Sequence, residues 1–163
     1  MPSGTVLSAE LAAFLEGGCA LIVGTVGPDT APHAGRAWGI EVLDAETGRL
    51  RLLLDGADGA TLANLAGEDA RIACTGAEVR TLHSRQLKGR VEAVEPATGA
   101  DRARAARYCD AFFTDIEATD GEPRELLDQI VPAAYVAGTV TVDALSDQPP
   151  GPGAGAAVEA DAP

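Results

Sequence analysis

The chain has 163 residues, 46% of them apolar, and a formal net charge of −13. That length and composition fit one globular domain with its own core and exclude a disordered chain. The charge excludes nucleic acid and anionic membrane surfaces as partners, because both would be repelled, and no run of about 18 apolar residues offers a bilayer span.

From the start of the chain, "MPSGTVLSAELAAFLEGG" has no basic segment ahead of its first apolar stretch, so no secretory signal is expected. Ser8 is placed to cap a helix running to about Glu16, with Leu11, Phe14 and Leu15 on one face, and Gly17 and Gly18 end it. "CALIVGTV" predicts a buried strand, "GPDTAP" a turn, and His33 to Leu43 a second strand. "DAETG" connects it to a third strand, Arg49 to Leu54, in which Leu50, Leu52 and Leu54 alternate with Arg49, Arg51 and Leu53. A Gly-rich turn with Asp55 and Asp58 leads to a short helix over about Thr61 to Ala66. "ARIACTG" predicts a fourth strand and "RTLHSRQLKGRVEAVEP" a long or bent fifth.

Spacing turns helical from Gly99 to Phe113, and Glu122 to Ile130 predicts another short helix. "AAYVAGTVTVDAL" closes the ordered part as a Val- and Thr-rich strand. The predicted domain is therefore residues 1–145, followed by a Pro-, Gly- and Ala-rich tail, 146–163, without regular structure. Six short strands with few, unevenly placed helices predict a mainly β fold with flanking helices: a six-stranded antiparallel split barrel, since closure removes exposed edges.

Several chemistries lack their residues. His33 and His83 stand at no metal-ligand spacing from a Cys or from each other, so no metal is expected. No GxSxG elbow and no GxGxxG fingerprint occurs, and the acids of "DGADG" miss the calcium-loop spacing. Cys19, Cys74 and Cys109 are odd in number and form no CxxC, which fits buried thiols in a reducing cytoplasm. Lys88 is the single lysine among 12 Lys and Arg residues, so arginine carries almost all of the cationic chemistry.

The order of motifs resembles the pyridoxamine 5'-phosphate oxidase-like family, the FMN-binding split barrels. "CALIVGTVGPDTAPHAGRAWGI" resembles the family's first hairpin, and "RLRLLLDGADGATLANLAGEDARIAC" its third strand, phosphate loop, Asn-Leu helix and fourth strand. "SRQLKGRVEAVE" resembles its fifth strand, and "DQPPGPGAG" a Pro-Gly tail found in some members.

The resemblance implies a homodimer with two FMN clefts at the subunit interface, acting on a small-molecule substrate as an oxidoreductase. Its alternative is a non-catalytic or non-FMN module that uses the same cleft for F420, haem or nothing. On this pattern the cofactor contacts fall to Arg36 and Trp38 of strand two, Leu54 and Asp55 at the end of strand three, Thr61 and Leu62 of the short helix, and Ser84, Gln86 and Lys88 of strand five. Thr61 stands where the family has a lysine. The catalytic residue is unassigned, and His33 or His83 is the available haem ligand.

Overall fold

The computed structural model describes residues 4–158. Its strands are β1 (Ala20–Val26), β2 (Pro32–Asp44), β3 (Arg49–Asp55), β4 (Arg71–Ala77), β5 (Ser84–Pro96) and β6 (Tyr135–Asp147), and its helices are α1 (Ala9–Glu16), α2 (Gly59–Leu65), α3 (Gly99–Asp120) and α4 (Arg124–Leu127). The strands close in the order β1-β2-β3-β6-β5-β4, and every pair is antiparallel. This is the predicted six-stranded barrel.

Period-2 alternation builds the interior: Leu21 and Val23, Leu50 and Leu52, Ile72 and Cys74, Leu87, and Val140 and Val142 are all buried. The odd residues of β1 point inward, so Ile22, Gly24 and Val26 point out. Ser8 caps α1 by accepting from the Leu11 amide at 3.1 Å. Leu11 and Leu15 are the residues that this helix buries against the barrel.

Three elements depart from the sequence expectation. Helix α3 continues past Phe113 to Asp120, where its last turns carry polar residues and the apolar spacing that marks the rest of the helix is absent. It stops where Gly121 adopts φ +72°, a conformation that costs glycine nothing. Helix α2 starts at Gly59, two residues before Thr61, with Asp58 as its cap.

The tail is the third departure. Its residues through 158 fold back, so that the Asp147 amide donates to Ala156 O and the Gln148 amide to Ser84 O, both at 2.9 Å. An isolated bridge pairs Ser146 with Ala157. The rest of the predicted tail, 159–163, lies outside the described residues. No helix among the described residues is long and apolar enough to cross a membrane.

Candidate functional site

Register, not sequence proximity, assembles the outer face of the barrel. Ile22 pairs with Arg36 on one side and Thr75 on the other; Thr75 pairs with Gln86, and Gln86 with Ser146. The next outward row runs Ala34, Gly24, Ala73, Lys88 and Ala144. A Cβ placed on Gly24 would meet nothing within 4 Å, so the face above it is open. Small side chains make the floor flat, while Arg36 and Lys88 supply charge.

Arg36 is the unanswered group on this face. Its guanidinium carbon lies 5.4 Å from the centroid of the Phe112 ring of α3, a cation–π distance. Its Nη1 is buried without a hydrogen-bond partner. A buried donor left unmade costs about 1–3 kcal/mol, more when charged, so an acceptor at this position has an energetic advantage waiting for it. Among the described residues neither Arg36 nor Lys88 forms a salt bridge.

The β3–α2 loop is arranged differently. Asp58 Oδ1 accepts from the Thr61 amide at 3.1 Å and from His33 Nε2 at 3.0 Å. Its Oδ2 accepts from the Thr61 hydroxyl at 2.7 Å. Partial burial pushes the Asp58 carboxyl up, and the Thr61 and His33 contacts outweigh that, so it stays below the usual carboxylate range. Asp55 Oδ1 accepts from the Ala57 amide at 2.8 Å. The donors that a bound phosphate would use at this loop already serve the chain's own carboxylate.

The residues assigned by resemblance divide accordingly. Arg36, Gln86 and Lys88 share the outer face, and Gln86 donates from Nε2 to Thr75 Oγ1 at 3.0 Å. Trp38 is 4% exposed and Leu54 1%, both inside the core of one protomer. Thr61 is 1% exposed, with its hydroxyl committed to Asp58. Ser84 turns its hydroxyl back to Leu82 O at 2.8 Å. Leu62 lines a groove of about 410 Å³ between α2 and β5, beside Leu65, Val91 and Val94. Arg85, the neighbour of Gln86 on β5, pairs with Asp147.

Sequence reasoning missed the part of Gly35. A Cβ there would lie 2.6 Å from Asp58 Oδ2 and 3.1 Å from Thr61 Oγ1, so only glycine lets the carboxylate sit against β2. It also missed the His33–Asp58 pairing, which joins residues 25 apart in sequence. The turn before His33 was the sole local hint of that strand's start.

The remaining groups offer little chemistry. Burial pushes the Cys19 and Cys74 thiols up to about 12 and raises Cys109 as well, so none is a ready nucleophile. Among the described residues no group of three or more His, Cys, Asp or Glu is placed to hold a metal ion.

No family model matches the chain, and no curated protein sequence does. Solved structures do resemble it. An F420 reductase superposes with a TM-score of 0.53 at 19% identity, covering 83% of this chain and 95% of that one. A Clostridium acetobutylicum protein of the pyridoxinephosphate oxidase family, related to general stress protein 26 of B. subtilis, gives 0.51 at 13%, covering 86% and 87%. HutZ, the haem storage protein of Vibrio cholerae, gives 0.51 at 15%, covering 88% and 95%. At such identities the likeness establishes the fold. The chain is a six-stranded split barrel of the kind found in pyridoxamine 5'-phosphate oxidase-like proteins, as its motif order implied.

Proposed function

We propose that the protein is a homodimeric small-molecule-binding module that holds a planar, negatively charged ligand against the outer face of β1, β2, β4 and β5. One observation carries this reading: Arg36 presents a buried guanidinium nitrogen without a partner beside an open, flat sheet face. A flat floor of Gly24, Ala34 and Ala73 suits an aromatic ring system, and Arg36 answers an acidic substituent. F420 and haem are the ligands named for two of the structural neighbours, and both are planar and acidic. A second copy closes the cleft over the ring, as the resemblance implies.

FMN-dependent oxidoreduction is the second reading, favoured by the neighbour from the pyridoxinephosphate oxidase family. FMN would bring the redox chemistry itself. The loop does not fit its phosphate, however, because Thr61 is committed to Asp58 and the stretch from Asp55 to Leu65 contains no lysine or arginine.

The visible absorption spectrum of the purified protein, with mass spectrometry of any released ligand, separates the readings. A haem or deazaflavin spectrum supports the binding module, and a flavin released as FMN supports the oxidoreductase. Loss of the ligand in Arg36→Ala ties it to this face. Full retention in that variant would remove the face as its site.

A further inference from the structure

The fold places a phosphate-binding loop in relatives by resemblance, yet here the chain has filled that place itself. Three donors from two elements converge on one carboxylate: the Thr61 amide, the Thr61 hydroxyl and His33 Nε2. The room for it comes from Gly35, whose missing Cβ would otherwise stand 2.6 Å from Asp58 Oδ2. A ligand phosphate at this position would have to expel Asp58 or sit against its charge, with Asp55 adding a second carboxylate at the head of the loop. The loop offers it no cation, and Arg85 is already paired with Asp147.

Charge balance separates the ligand classes. Arg36 supplies one positive charge to β2, and Asp58 sets one negative charge against the same strand. A dianionic phosphate leaves the pair strongly negative in total, whereas a carboxylate on Arg36 does not. We infer that Asp58 is a specificity residue that rejects a dianionic terminal phosphate, so that the ligand of this barrel is a planar molecule whose acid is a singly charged group such as a carboxylate, rather than FMN. The ligand class rests on the outer-face reading above; the rejection of phosphate by Asp58 does not.

The test compares the parent with Asp58→Asn, which keeps an acceptor without the charge, and Asp58→Ser, which empties the place. Two measurements are made on each: fluorescence titration with FMN and with riboflavin, and thermal unfolding in inorganic phosphate against chloride at matched ionic strength. The parent should bind FMN no more tightly than riboflavin and unfold at the same temperature in both salts. In the variants, preference for FMN over riboflavin should rise about tenfold, the effect of one nearby unbalanced charge at partial exposure. Phosphate should raise the unfolding temperature of the variants alone. A parent that already prefers FMN about tenfold, or that phosphate stabilises as much as it does the variants, would overturn the inference, and so would variants with an unchanged salt response. If no form binds either flavin, a flavin-sized ring on the outer face is lost, and the phosphate measurement still decides the role of Asp58.

Discussion

At the scale of single residues, the loop shows how one glycine fixes the position of a charge. Asp58 reaches Thr61 and His33 only because the β2 backbone comes close at Gly35. Gly35→Ala puts a methyl group 2.6 Å from Oδ2 of a carboxylate whose two oxygens are held by three donors, so that either β2 or α2 must shift. We predict a loss of about 1–3 kcal/mol, the usual cost of overpacking, measured by urea unfolding. A combined Gly35→Ala, Asp58→Ser variant should recover part of that loss, since the clash partner is gone. Equal stability of Gly35→Ala and parent would mean that the carboxylate is not held there. The sequence displayed the loop, its two acids and the missing lysine. It did not display the partner, because nothing local links His33 to a loop 25 residues away.

At the scale of elements, α3 is fastened to the barrel by charge as well as by apolar packing. Arg51 of β3 donates from Nε and Nη2 to the two oxygens of Asp101, each at 2.8 Å. Asp101 also accepts from the Thr98 amide and hydroxyl, and Thr98 accepts from the Asp101 amide in return, a capping box that starts the helix. Asp101 is 4% exposed, so removing Arg51 strands a buried charge. Arg51→Ala should therefore cost about 3–5 kcal/mol, whereas the paired change Arg51→Leu, Asp101→Asn should cost clearly less; chemical denaturation of both checks this.

The same pair gives the protein an acid limb. Arg51 above all, then Thr98, holds the Asp101 carboxyl well below the usual carboxylate range. Its folded pKa is thus lower than its unfolded value of about 3.9. Its contribution is complete above about pH 5, where the unfolded carboxyl is ionised as well, and is lost progressively as pH falls from there toward the folded pKa. The parent should lose stability through that window, and the Arg51→Leu, Asp101→Asn variant should lose less. An identical pH slope for the two would show that other carboxylates govern acid unfolding. The start of α3 was legible from the helical spacing that begins at Gly99, although the Thr98–Asp101 capping box that fixes it was not. Its full length was not, because the stop depends on Gly121 taking a left-handed conformation after turns with no apolar period.

At the scale of the whole molecule, the barrel order was legible because six alternating strands leave few ways to close a sheet without edges. The surface for a second copy is not supplied by the one tryptophan of the chain. Trp38 belongs to the core of one protomer, so any shared surface has to come from residues that one copy leaves exposed. On the outer face of β1 these are Ile22, 41% exposed, and Val26, 54% exposed, flanked by the small residues of β2 and β4. We predict a dimer that buries this face. Since each copy carries −13, repulsion opposes association and salt should relieve it. Sedimentation of the parent should then show a dimer that tightens as ionic strength rises. Ile22→Glu sets a charge at the centre of the face and should yield monomers, with an unfolding midpoint in urea that no longer depends on protein concentration. If both copies build the cleft, the same variant should also lose ligand, and so should Val26→Glu, whose cross-strand partner is Pro32 and not Arg36. A dimer that survives Ile22→Glu unchanged would move the interface, and with it the cleft, away from this face.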